Sequence, residues 1–226
     1  MLEYPKIQSI FKRREQKPRY VIEGTWSTPE FAYLQNCQWL WTEKIDGMNT
    51  RVGWDSGPTL TNTTSTVPIN LTHTRAFGGR TPDAQIPVRL LAYLEAMFPE
   101  DKLAAVFPTS NVTLFGEGFG LKIQSGGKYI PDGVGFTLFD VLVGDWWLQR
   151  PNIEDIAAKL GCGVVPIVGQ GTLHDAVAAI KAGVKSTFGD FQAEGLVLRP
   201  LVDLKYRTGE PILAKIKHKD FPTTKA

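Results

Sequence analysis

Lys44 stands in the run Glu43-Lys44-Ile45-Asp46-Gly47-Met48-Asn49. Trp39-Leu40-Trp41 before it and Val52-Gly53-Trp54 after it read as β-strand. A charge inside a sheet is costly unless a partner or a ligand needs it there. An unprotonated lysine amine is also a nucleophile. Four further segments place polar residues where a strand should be apolar. Leu114-Phe115-Gly116-Glu117-Gly118-Phe119 holds one acid in a glycine-flanked run, and Phe136-Thr137-Leu138-Phe139-Asp140-Val141 carries Phe-Asp towards the end of an apolar strand. Glu194-Gly195-Leu196-Val197-Leu198-Arg199-Pro200 brackets apolar residues with an acid and a base. Ala214-Lys215-Ile216-Lys217-His218-Lys219 puts Lys215 and Lys217 on one strand face, because side chains alternate. A buried ion-pair network would account for any one segment. Five such segments in one chain suit a shared site better.

The elements that must position these residues are mostly strands. Strands are predicted at Trp39–Lys44, Met48–Trp54, Val112–Phe119, Gly135–Val143, Val164–Val168, Gly195–Arg199 and Ile212–Lys217. Helices are predicted at Pro87–Phe98, with Leu90, Leu91, Leu94 and Met97 on one stripe, and at Asn152–Leu160, stopped by Gly161. A third runs over Thr172–Ala182, opened by a Thr172–Asp175 cap and stopped by Gly183. Residues 56–70, rich in Thr, Ser, Pro and Asn, read as a loop or loose hairpin. Strands come first, and helices are inserted between further strands. The regular βαβ alternation of a parallel sheet is missing, so an α+β fold of antiparallel sheets flanked by helices is expected.

The chain has 226 residues, 42% hydrophobic and 11% aromatic, which suits one large domain or two small ones with a real core. No apolar run approaches the roughly 18 residues of a membrane span, and Met1-Leu2-Glu3-Tyr4-Pro5-Lys6 lacks a signal-peptide core. An intracellular, cytoplasmic protein is expected. Cys37 and Cys162 are the only cysteines and read as reduced and inert. The net charge is only +2, but Lys12, Arg13, Arg14, Lys17 and Arg19 crowd the N-terminus. Lys205, Arg207, Lys215, Lys217, Lys219 and Lys225 crowd the C-terminus. A phosphate-rich partner would suit both clusters, and solvated faces are the bland alternative. His73, His174 and His218 show no ligand spacing; His218, next to Lys217, could touch phosphate, but a role outside the chemistry is the more ordinary reading. Gly126-Gly127-Lys128-Tyr129 lacks the earlier glycine and the hydroxyl of a P-loop. Trp146-Trp147 reads as sheet packing, and no motif supports a Ser–His–Asp triad.

Taken in order, Lys44-Ile45-Asp46-Gly47, Phe115-Gly116-Glu117, Phe139-Asp140, Glu194-Gly195-Leu196-Val197 and Lys215-Ile216-Lys217 resemble motifs I, III, IIIa, IV and V of the covalent nucleotidyltransferases. That superfamily holds ATP-dependent DNA ligases, RNA ligases and mRNA capping enzymes. The resemblance runs from about Trp39 to Phe221 and is nearest to phage-type RNA ligases of the RNA ligase 2 kind. Phe77-Gly78-Gly79-Arg80-Thr81 resembles the motif Ia arginine segment, with Arg75 as a competing candidate.

The resemblance implies an α+β nucleotidyltransferase (ATP-grasp-like) ligase catalytic core. It makes Lys44 the nucleophile that takes AMP from ATP, with Lys215 and Lys217 stabilising the transferred phosphate. Repulsion from these lysines and a bound metal would favour the neutral amine of Lys44. The resemblance also gives Glu117 the ribose, Phe139 the adenine face and Glu194 a place near the metal and the lysine. Glu43, Asp46, Gly47, Arg80, Asp140 and Arg199 complete its nucleotide-binding set, the backbone beside Glu43 reading the adenine edge. ATP and Mg²⁺ or Mn²⁺ are the implied cofactors. RNA ends or a nicked RNA or RNA/DNA duplex are the implied partners, and the phage-type likeness suggests RNA repair by a phage-encoded protein in a host cell.

Two positions depart from the pattern. Asp46 stands where some RNA ligase 2 proteins have histidine, and Arg199 where lysine is frequent. Arginine keeps the charge and binds phosphate bidentately; Asp46 weakens the RNA assignment but not nucleotidyl transfer. Nine residues follow Lys217 in this sequence, so no OB-fold or accessory domain is expected after it. A single adenylation domain over 1–226 is expected. The rival readings are a DNA ligase core that seals nicks and a non-catalytic module that binds nucleic-acid ends.

Overall fold

The structure is a computed structural model that describes residues 1–57 and 73–222. Most of the loop read at 56–70, and Lys225, lie outside the described residues. The chain forms two compact units, one of Met1–Tyr4 with Gly47–Val164 and the other of Pro5–Asp46 with the chain from Val165 onward.

In chain order, β1 (Gln8–Ser9), β2 (Phe11–Arg13) and β3 (Val21–Trp26) lead to α1 (Pro29–Leu34) and β4 (Trp39–Lys44). The other unit follows, with β5 (Met48–Asp55), β6 (Thr74–Gly79), α2 (Val88–Met97), α3 (Glu100–Val106), β7 (Val112–Gly120) and β8 (Val134–Val143). It ends with β9 (Trp146–Trp147), α4 (Arg150–Leu160) and β10 (Gly163–Val164). The chain then returns through β11 (Ile167–Gly171), α5 (Leu173–Ala182), β12 (Gly195–Pro200) and β13 (Ala214–Lys217).

The lysine-bearing unit has a sheet ordered β1-β13-β12-β4-β11, with β2 and β3 forming a separate hairpin. Every neighbouring pair in that sheet is antiparallel except β1 and β13. Alternation sends Trp39, Trp41, Leu196, Leu198, Ala214 and Ile216 into the core, where Leu173, Ala176 and Ile180 of α5 meet them. The other face is left to Thr42, Lys44, Arg199, Lys215 and Lys217. The cap expected on α5 is present: Thr172 Oγ1 accepts from Asp175 N–H at 3.1 Å, and Asp175 Oδ2 accepts from Thr172 N–H at 2.9 Å.

The other unit has the sheet order β10-β8-β7-β5-β6, with β9 added to β8. Its contacts are antiparallel except β10 against β8. Leu90 and Leu94 of α2, Leu103 of α3 and Ile153 and Leu160 of α4 pack on one sheet face against Val52, Leu114, Leu138 and Val141. On the opposite face Arg51, almost fully buried, donates to the carbonyls of Gly79 at 2.6 Å, Leu2 at 2.9 Å and Met1 at 3.2 Å. These bonds tie the N-terminal tetrapeptide to the sheet.

The α+β fold with mainly antiparallel sheets agrees with the expectation. The strand read at Val164–Val168 is instead two short strands in different sheets, β10 and β11. Val165 and Pro166 separate them, and proline has no N–H for a ladder. β13 begins at Ala214 rather than Ile212. Burial pushes the Cys162 thiol up to about 11, which leaves it a poor nucleophile, as read.

Candidate active site

Strand register brings the motif lysines together. Gly195 lies opposite Lys44 on one side and Lys217 on the other, and Val197 lies between Thr42 and Lys215. A Cβ on Gly195 would stand 2.2 Å from the Ile216 carbonyl oxygen, so this close strand approach requires glycine. Three lysines thus share one face of three adjacent strands.

Glu194, the residue before β12, reaches between two of them. Lys44 Nζ donates to its Oε2 at 2.6 Å and Lys217 Nζ to its Oε1 at 2.5 Å. The carboxylate side chain is 8% exposed, whereas the two lysines keep 21% and 20%. Solvent and ligands therefore meet the cations more readily than the acid. Burial by itself would raise the Glu194 carboxyl, but the charge of Lys44 and the hydrogen bonds from Lys217 and Lys44 outweigh it and hold the group below its ordinary value. Arg199 lies farther along the same face, with Nη1 3.8 Å from Asp203 Oδ1.

Glu43 points the other way, as alternation requires, and is buried. It accepts from Ser186 Oγ at 2.6 Å and from the Thr187 amide and hydroxyl, both at 2.8 Å. The backbone amide of Glu43 bonds the Pro166 carbonyl. The side chain thus pins the turn after α5, and the chain runs from that turn into Glu194. Ser186 and Thr187 escaped the sequence reading; their only signal is two hydroxyls just past a helix end. His218 is also engaged, with Nδ1 2.8 Å from Gln192 Nε2 and 3.2 Å from the Ile180 carbonyl.

The boundary between the units falls between Asp46 and Gly47. Asp46 is half-buried and closes the lysine-bearing unit. Gly47 opens the other, where a Cβ would meet the Gly118 carbonyl oxygen at 2.4 Å. In that unit Glu117 of β7 is half-buried and lies between Asn49 and Thr137. Register shifts from Phe115↔Asp140 to Gly116↔Leu138, which makes Phe139 the inserted residue of a β-bulge. Phe139 meets the Tyr4 ring edge-on at 4.9 Å, and Asp140 is wholly buried and accepts from the Tyr4 hydroxyl at 2.7 Å.

The two arginine candidates separate. Arg75 donates to the carbonyls of Phe98 at 2.7 Å and Glu95 at 3.1 Å, and lies over the Phe77 ring. It caps the C-terminal end of α2, where a cation is favoured. Arg80 follows β6 and is exposed.

Among the described residues no group of three or more His, Cys, Asp or Glu gathers to hold a metal ion. Glu194 is the acid at the lysine face. A hard cation that arrives on nucleotide phosphates, with phosphate oxygens and water as its other ligands, fits such a donor set.

No curated protein matches the sequence. Solved structures of the Naegleria gruberi RNA ligase share the fold: an arginine-to-alanine mutant with ATP and Mn at 18% identity and TM-score 0.65, covering 97% of this chain and 59% of that one. The same ligase with PPi matches at 19% identity and TM-score 0.59, covering 95% of this chain and 57% of that one. This chain therefore spans somewhat under three fifths of the length of those structures. A family model described as RNA ligase matches residues 38–217, a stretch that contains every candidate site residue from Glu43 to Lys217. With four fifths of its length inside that match, the chain belongs to the RNA ligase family.

Proposed function

We propose that the chain is an ATP-dependent RNA ligase that carries AMP on Lys44, passes it to a 5′-phosphate RNA end and lets a 3′-hydroxyl displace it. The observation that carries this reading is the lysine face: Lys44 and Lys217 share Glu194, with Lys215 in the next row.

In the first step the Lys44 amine attacks the α-phosphorus of ATP. The P–N bond forms, the bond to the bridging oxygen breaks, and pyrophosphate leaves with that electron pair. The amine must first lose a proton to solvent. Glu194 holds the ammonium in place until then. Lys215 and Lys217 face the charge spread over the phosphate oxygens in the transition state. A divalent cation held by Glu194 and the phosphates would supply further neutralisation of that charge. In the later steps a 5′-phosphate oxygen attacks the lysyl-AMP phosphorus and regenerates the Lys44 amine, and then a 3′-hydroxyl attacks the 5′-phosphate and releases AMP.

Glu117 keeps its place at the ribose, Phe139 at the adenine, and Asp46, Gly47, Arg80 and Arg199 in nucleotide binding, whereas Asp140, wholly buried against Tyr4, would serve by holding the strand beside Phe139 rather than by touching the nucleotide. Glu43 keeps the backbone role only, because the side chain is committed to Ser186 and Thr187.

A nicked duplex tests the substrate. Joining should be strongest when the 3′-hydroxyl strand is RNA. Equal or better joining of an all-DNA nick would replace this reading with the DNA ligase core.

A further inference from the structure

We infer that the β2–β3 hairpin is a docking surface for the phosphate backbone of the RNA strand whose end is processed, an inference that rests on the ligase reading. Residues 12–19 hold five cations, Lys12, Arg13, Arg14, Lys17 and Arg19, against one anion, Glu15. All six are exposed. The hairpin is secured by other means: Phe11 is buried and packs on Trp26 at 4.9 Å, and β2 pairs with β3.

One of the five cations works differently from the rest. Arg13 donates to Asp220 Oδ1 at 2.7 Å, to Ser9 Oγ at 2.9 Å and to the Arg19 carbonyl at 3.1 Å. Asp220 is buried, and its other oxygen accepts from the backbone N–H of Lys217 at 2.9 Å. Two hydrogen bonds therefore tie the hairpin to the backbone of a lysine at the candidate active site. Arg13 is the anchor. Lys12, Arg14, Lys17 and Arg19 have no side-chain hydrogen-bond or ion-pair partner among the described residues. A fold that needed their charge for stability would have paired them. Four unpaired cations on an anchored ribbon instead suit a linear array of phosphates, where each contact releases a counterion. The hairpin lies outside the residues matched by the family model, 38–217.

The test measures binding of a 5′-phosphorylated single-stranded RNA at several salt concentrations. The comparison is between the native chain and a variant with Lys12, Arg14, Lys17 and Arg19→Gln, Arg13 being kept. Each lost contact should flatten the slope of log K against log salt by roughly 0.7, about 3 in all if every cation contacts phosphate. Affinity should fall about 10- to 100-fold. Covalent capture of AMP should stay unchanged. A second variant, Glu15→Lys, should tighten binding and steepen the slope. Unchanged affinity and slope in both variants would overturn the inference, as would binding of the native chain to phosphatidylserine vesicles as tight as to RNA. Failure of AMP capture in the native chain would instead overturn the ligase reading and leave the RNA-binding result to be judged by itself.

Discussion

Glu194 and Asp140 are both buried carboxylates, and they are handled in opposite ways. Glu194 lies beneath two lysine ammoniums whose side chains stay about one-fifth exposed. Asp140 is wholly buried and is met by the hydroxyl of Tyr4, on a sheet face where buried Arg51 is satisfied by three carbonyls. Charge paired with charge at a surface can be released to a ligand. Wholly buried charge held by a hydroxyl or by carbonyls inside a unit is fixed in place, because removing a partner strands it. The first arrangement suits chemistry and the second architecture, and substitutions should separate them.

The largest effect is expected at the lysine face. Lys217→Ala should slow AMP capture by about 10²- to 10³-fold, the usual cost of losing one group that stabilises transition-state charge. Thermal melting should stay close to native. A capture rate within a few-fold of native would remove Lys217 from the site. On the other side of the comparison, Tyr4→Phe leaves Asp140 one hydrogen bond short and should cost about 1–3 kcal/mol. That corresponds to a fall in Tm of roughly 2–4 °C per kcal/mol for a chain of this size. An unchanged melting curve would show that Tyr4 does not hold Asp140.

Arg75 and Arg80 sharpen the contrast within one unit. Arg75→Ala should destabilise by about 1 kcal/mol through the lost helix cap, read as urea midpoint. Arg80→Ala should leave the midpoint alone and lower nucleotide capture. The reverse pattern would make Arg75 the ligand residue. The smallest effect concerns pH. Glu194 titrates below its ordinary value of 4.5 in the folded chain, so its contribution to stability is complete above that value and lost as pH falls through the folded one. Stability measured from neutral pH down into that acid range should fall less steeply in Glu194→Gln.

Alternation made much of the lysine-bearing sheet legible. It placed Lys215 and Lys217 on one face, and β4 has the bounds read from its sequence. The position of Glu194 between Lys44 and Lys217 was not legible, because it depends on the register of three strands distant in sequence. Nor was Arg75 as a helix cap, since its partners lie 20 and 23 residues away. β2 and β3 were missed because most of their residues are exposed and carry no period-two apolar pattern. α3 had a readable signal, Pro99 followed by Glu100 and Asp101 in its first turn. Its short apolar stripe, with Leu103 its one fully buried side chain, hid it.

The ligase reading stands or falls on Lys44 as the nucleophile. Native chain and Lys44→Ala should be incubated separately with α-³²P-ATP and α-³²P-GTP in the presence of Mg²⁺, then denatured and examined for label. Label is expected from ATP on the native chain, little from GTP, and none on Lys44→Ala. Label that persists on Lys44→Ala, or a native chain that takes none from ATP, would contradict it.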